Sequence, residues 1–241
     1  MRLNTHPFIE ICAYSVFFAA KGIKGTKQNM HLREQQIQRN SEILKKYIPE
    51  YAIPTIAVWI IEFDFKLKIT KERSTKLGDY TSPRDGLNHV ITINHNLNQY
   101  SFFVTLVHEI AHLKTYNTHK NRVNPHGEEW KQSFRELMTP FLSTDHLPLD
   151  LIYALRKYLL NPAAASCSDV TLMRTLKLYD TNTSNAHLIL LEHLPYRTHF
   201  IFNGDRIFEK GEKLRKRFRC KEISTGSIYL FSPLAEVEVV G

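Results

Sequence analysis

At 241 residues, with 43% apolar and 23% charged side chains, the chain can bury a proper core, which excludes wholesale disorder. Its three cysteines, Cys12, Cys167 and Cys220, are too few and too dispersed for a disulfide framework or a four-cysteine zinc ribbon, and they fit a reducing compartment. A formal charge of +8 points to a polyanionic partner, although a solubility charge without a target gives the same balance.

In chain order, residues 1–29 come first. Phe8 to Ala20 is an apolar run behind Arg2 that imitates a signal peptide, but Glu10 interrupts it and it is too short to span a bilayer. We read 1–29 as an upstream extension or a mispredicted start, with an export signal as the rival. No other segment is long enough to be transmembrane, so the expected location is the cytoplasm, with nucleoid association left open. Residues 31–48 predict a helix, with Ile37, Ile43, Leu44 and Tyr47 at helical spacing and Pro49 as its stop. Thr55 to Phe65 is dense in Ile, Val, Trp and Phe and reads as β. Phe65, Leu67 and Ile69 then alternate with Lys66, Lys68 and Thr70 as a half-buried strand. Gly78-Asp79 and Pro83 to Gly86 mark turns, and 88–94 is a further strand.

From Ser101 to Tyr116 the period becomes helical, with an apolar share wide enough to predict a central, buried helix. After a polar loop, a second helix is expected from Asn124-Pro125, with Trp130, Phe134, Leu137 and Met138 on its core face. Residues 149–160 form one more helix. Residues 161–186 read as a linker containing a helical turn from Leu172 to Tyr179. Beyond His187 the pattern is that of a small all-β module: strands at 198–202, 213–221 and 228–231, with turns at Asn203-Gly204-Asp205 and Thr225-Gly226.

The strongest chemical signal is His108-Glu109-Ile110-Ala111-His112. Helix residues four apart sit about 40° apart around the axis, so both imidazoles leave one face one turn apart and can bind one Zn²⁺. Glu109 is left beside the metal, where it can take a proton from a bound water. A solvated pair of histidines is the plain alternative. Against it, the surrounding Phe103, Val104, Leu106, Val107, Ile110 and Leu113 bury the pair, and buried imidazoles need partners. A catalytic zinc needs a third protein ligand, and the candidates are His119, His126, Glu128 and Glu129. His126 is best placed, because Pro125 and Gly127 pin it at the start of the second helix. Glu128 or Glu129 would imitate the glutamate-ligand zinc proteases.

His108 to His112, a connection of thirteen residues, then His126-Gly-Glu-Glu-Trp130 resembles the SprT-like metalloprotease family. Leu77-Gly78-Asp79-Tyr80 followed by the Val90–Asn94 strand is similar to that family's glycine turn and strand. The resemblance covers roughly 32–160. It implies one zinc per chain on His108, His112 and His126, with Glu109 catalytic. The family often adds a C-terminal zinc ribbon, of whose cysteines only Cys220 remains here, so a degenerate, metal-free version is expected.

In that module, Arg206 to Lys221 holds eight basic residues against two glutamates. On a strand, Arg215, Arg217, Arg219 and Lys221 would share one face, with Lys213 next in the alternation, and Phe218 and Cys220 would turn inward. Aligned cations match a phosphate backbone, though a basic edge strand also guards against aggregation.

The resulting expectation is an α+β, zincin-like minimal metalloprotease domain (30–160), a linker (161–186) and a basic β-rich module (187–241). Function is expected to be zinc-dependent peptide hydrolysis on DNA-associated proteins, without a membrane partner. The rival is a non-proteolytic nucleic-acid-binding or transcription-associated factor with a structural zinc.

Overall fold

The computed structural model describes residues 9–11, 27–73, 76–83, 88–143, 145–163, 169–181 and 187–240. Most of the predicted extension, the Pro83 to Gly86 turn beyond Pro83, and parts of the predicted linker fall outside these residues. The chain forms two compact units, 1–180 and 181–241. The described residues build an α+β protein of six helices and two sheets. None of the helices is long and apolar enough to cross a membrane.

The first unit starts with β1 (Ile9–Ile11), α1 (Lys27–Leu44) and α2 (Ile53–Glu62). The predicted β run Thr55–Phe65 is corrected here: down to Glu62 it is helix. A short apolar run fits either element. The burial of Ile53, Ile56, Ala57 and Ile60, spaced i, i+3, i+4 and i+7, shows that the core reads it as a helix face, with Pro54 in its first turn. The alternation then takes over in β2 (Phe65–Thr70), where Phe65, Leu67 and Ile69 point inward.

β3 (Gly78–Thr81) and β4 (His89–Asn94) complete a four-stranded sheet of order β1-β2-β4-β3. β2 and β4 run parallel, and β3 is an antiparallel edge. Gly78-Asp79 was expected as a turn but is extended and paired with Ile93 and Thr92. Buried Asn94 fixes the approach to this strand: its amide donates to the carbonyls of Arg73 (3.2 Å) and Lys76 (3.0 Å), and its oxygen accepts from Arg73 Nε at 2.8 Å.

From β4 the chain enters α3 (Gln99–His119), capped by Asn98, whose side-chain oxygen accepts from Ser101 N at 2.9 Å. Thirteen of its residues are buried, as the wide apolar share required. α4 (Glu128–Met138) packs against it through Trp130, Phe134, Leu137 and Met138, and α5 (Leu149–Leu160) follows. α6 (Val170–Lys177) lies inside the stretch expected to be linker. Its Leu172 and Leu176 are buried in the main core, and the Asn98 amide donates to the Leu176 carbonyl at 2.9 Å.

The second unit is a six-stranded antiparallel sheet: β5 (Ile189–Leu190), β6 (His199–Ile201), β7 (Ile207–Lys213), β8 (Phe218–Glu222), β9 (Ile228–Phe231) and β10 (Glu236–Val239), in the order β5-β10-β6-β7-β8-β9. Phe200, Phe208, Phe218, Cys220, Phe231 and Val237 form most of its small core. Buried within it, the Lys210 ammonium donates to the carbonyls of Glu192 and Leu194 and lies 4.3 Å from the Phe218 ring centroid. A buried cation satisfied in this way ties three segments together where apolar area is scarce.

Candidate metal centre

Along α3, His108 and His112 leave the helix one turn apart toward α4 and the turn before it. That turn, Asn124 to Gly127, closes when Gly127 N donates to the Asn124 carbonyl at 3.0 Å. The helix itself begins at Glu128, with extended Gly127 as its cap. His126 therefore sits in a tight turn, and the second helix starts later than Asn124-Pro125 predicts. Proline as the second turn residue fixes the bend that aims His126 at α3.

One potential ligand atom from each of His108, His112 and His126 lies within 4.8 Å of the others. Ring centroids are 4.4 Å apart for His112 and His126, and 5.1 Å for His108 and His112. Among the other third-ligand candidates, Glu128 instead pairs with Lys131 at 2.7 Å, and neither His119 nor Glu129 joins the cluster.

Trp130 is the floor of the triad: its ring lies 4.6, 5.2 and 4.7 Å from His108, His112 and His126. The sequence identified it only as a core residue. The second link between the helices is polar: buried Thr115 Oγ1 donates to the Ala111 carbonyl of its own helix (2.8 Å) and accepts from Ser133 Oγ of α4 (3.1 Å).

Burial is the main force on all three imidazoles, and it lowers their basicity. His108 is held well below its ordinary value by burial and then by His112 and His126; His112 is brought to about 3 by burial and then His126; His126 is lowered by burial. Near neutral pH all three are neutral, the form that binds a metal. Buried His108 Nδ1 and His126 Nε2 have no hydrogen-bond partner among the described residues. Unpaired buried nitrogens on converging imidazoles are what a cation would satisfy, and a three-histidine donor set suits zinc.

Glu109 is 7% exposed and faces the sheet edge. Its carboxylate accepts the Tyr80 backbone N–H. Burial, then the charge of Asp79, push its carboxyl up to about 8, while Lys76 and Arg73 act in the opposite direction. Gly78 makes this placement possible, because a β-carbon there would lie 2.9 Å from Glu109 Oε1 and 2.7 Å from Thr105 Cγ2. The sequence marked Gly78 as a turn and gave no sign of this contact.

These groups open into a cleft of about 450 Å³, walled by Tyr80, Tyr116, Lys120 and Asn124 besides the triad. Residues 56–150, which hold every group of the centre, match the model of the SprT-like family.

This stretch is similar to the SprT-like family.

No curated protein and no solved structure matches the chain. The SprT-like match indicates a metallopeptidase-type domain and ends before the β-rich unit.

The five basic residues predicted to lie along a strand do not do so. Lys213 ends β7, Arg215 and Arg217 lie in the turn to β8, and Arg219 and Lys221 lie on the exposed face of β8. The register shifts between Lys210 and Lys213, where Gly211 lets the chain pass the Arg219 carbonyl, and Leu214 N donates to the Arg217 carbonyl at 2.8 Å to close the turn. A single extended strand with four cations on one face is thus replaced by a basic hairpin. On its exposed face Arg219 and Lys221 stand opposite Leu230 and Ile228 of β9.

Proposed function

We propose that the SprT-like domain is a zinc-dependent peptide hydrolase in which His108, His112 and His126 hold one Zn²⁺ and Glu109 is the general base. The observation that carries this is the meeting of three neutral, partly orphaned imidazoles with a buried carboxylate on the wall of one open cleft. Zinc, when bound, supplies Lewis-acid polarisation of a water and of the scissile carbonyl. Glu109, whose carboxyl the charge of a bound Zn²⁺ would bring back down from about 8, takes a proton from the attacking water and returns it to the leaving amine. Tyr80 N–H and Gly78 keep the Glu109 carboxylate against β3, so it arrives oriented. The exposed rim of β3, an edge strand beside the cleft, offers backbone groups that an extended peptide can pair with.

In the same proposal the basic hairpin of the second unit binds nucleic acid, and the natural substrates are DNA-associated proteins in the cytoplasm. Support comes from the exposure of Lys213, Arg215, Arg217, Arg219 and Lys221, and from the excess of cations over the whole chain.

The test is zinc content and proteolysis of purified full-length protein, with and without DNA. Glu109→Gln is expected to keep one zinc per chain and lose cleavage, and His126→Ala to lose zinc as well. A Glu109→Gln protein that cleaves as well as the parent would end the peptidase reading and leave a nucleic-acid-binding factor with a structural metal.

A further inference from the structure

Beside the metal centre, one wall of the cleft is built from aromatic rings and closed by a single cation. The Tyr80 ring lies parallel to His112, 3° between planes and 6.5 Å between centroids. Tyr116 packs 6.2 Å from Tyr80 and 5.7 Å from His89, and the Tyr80 hydroxyl is hydrogen-bonded to His89 Nδ1 at 2.8 Å. These contacts fix both tyrosines. Lys120 stands over this wall with its ammonium 5.0 Å from the Tyr116 ring centroid, and it lines the cleft.

Two features set Lys120 apart from an ordinary surface lysine. Its backbone, at φ 54° and ψ −138°, adopts a conformation that favours glycine, so a side chain is kept there at a conformational cost. It also lines the cleft near enough to His89 that, after burial, its charge is the largest influence lowering the basicity of that ring, although the residue itself is exposed. The other lysine at the cleft, Lys76, is paired with Asp79 at 2.8 Å. Among the described residues Lys120 shows a ring contact and no ion pair.

We infer that Lys120, with the Tyr80–Tyr116 wall, forms a subsite that selects a carboxylate on the substrate peptide next to the cleaved bond. The stem of a glutamate packs on the half-buried tyrosine rings while its carboxylate meets the exposed ammonium at the rim of the cleft, a charge-assisted contact. This rests on the peptidase reading. The carboxylate can come from an acidic side chain or from the free end of a chain, and the two are separable by experiment.

The experiment uses zinc-loaded full-length protein and one set of quenched fluorescent peptides, identical except for Glu, Gln or Lys at the positions flanking the cleaved bond. Each is made with a free and an amidated C-terminus. Wild type is expected to prefer Glu over Gln by roughly tenfold in kcat/KM, the scale of one hydrogen bond to a charged group. Preference that survives amidation assigns the subsite to a side chain, and preference lost on amidation assigns it to the terminus. Lys120→Gly, which relaxes the backbone as it removes the charge, is expected to bring the ratio near one without loss of thermal stability; Lys120→Glu is expected to favour the Lys peptide. Equal rates for Glu and Gln in wild type, or a preference retained in Lys120→Gly, would overturn the subsite. Binding of the same peptides to the Glu109→Gln protein, read by fluorescence anisotropy, separates the two ideas. Absent cleavage with Glu-selective binding that Lys120→Gly removes sinks only the peptidase reading, whereas non-selective binding sinks the subsite.

Discussion

The backbone of Gly78 passes so close to Glu109 that an added β-carbon would stand 2.9 Å from the carboxylate oxygen Oε1. Strand β3 and helix α3 are therefore fitted to one another at the carboxylate proposed to move the proton. The nearest neighbours, Thr105 Cγ2 and Ile93 Cδ1, are short side chains in the core that have little room to give way.

Gly78→Ala is accordingly expected to displace the Glu109 carboxylate while leaving the histidines in place. Overpacking of this kind costs about 1–3 kcal/mol of stability. Activity is expected to fall at least about tenfold, since small misplacements of reacting groups are expensive. Zinc analysis beside a cleavage assay checks this: full zinc with unchanged activity would contradict it.

Trp130 bears the triad, and its removal is expected to affect both folding and metal affinity. Trp130→Ala should cost about 3–5 kcal/mol in chemical denaturation, as for a large aromatic lost from a core. Trp130→Phe keeps a ring against the imidazoles and should cost less, with zinc affinity weakened by roughly 10–100-fold, as for the loss of a supporting neighbour. Wild-type zinc affinity in Trp130→Ala would show that the three histidines hold their places without the floor.

The pH dependence follows from the depressed imidazoles. In the unfolded chain they take up protons below their ordinary value of 6.5; in the folded chain His112 does so only near 3. Between these limits the unfolded state binds more protons on these rings, so their contribution to the stability of metal-stripped protein is complete above about pH 6.5 and is lost as the pH falls toward 3. Glu109, raised to about 8, works in the opposite direction and is removed in Glu109→Gln. Thermal unfolding of the Glu109→Gln protein in the presence of chelator, at intervals from pH 8 to pH 4, should show the melting temperature dropping below pH 6.5. A flat profile across that window would mean that the three rings are not buried together.

For the hairpin, the measurable quantity is the salt dependence of DNA binding. Each cation withdrawn from a phosphate contact lowers the slope of log K against log salt by about 0.9 for duplex DNA. Arg219→Gln with Lys221→Gln is expected to lower it by about twice that, with no effect on zinc content. Binding with no salt dependence, or a slope indifferent to the pair, would remove the nucleic-acid role from this hairpin.

Much of the centre was legible because it depends on local geometry. Two histidines four residues apart share a helix face whatever the helix packs against, and the apolar residues around them announced that the face would be buried. Likewise the alternation in β2, the helix at 149–160 and the strand at 228–231 need no knowledge of the rest of the chain. What failed were short segments whose pattern fits two answers. Thr55 to Glu62 is apolar enough for either helix or strand, and only its burial against the sheet decides for helix. Residues 213–221 alternate like one strand, yet the turn closed between Leu214 and Arg217 folds them into two.

By itself, then, the sequence determined the chemistry: which side chains are available, and the helical spacing that makes two of them a pair. Only tertiary structure decided how that pair is completed. The turn from Asn124 to Gly127 brings His126 across, Trp130 supports all three rings, and Gly78 admits the Glu109 carboxylate against β3. The reason is physical: periodicity fixes the direction of a side chain about its own axis, whereas the distance between two elements is set by what packs between them.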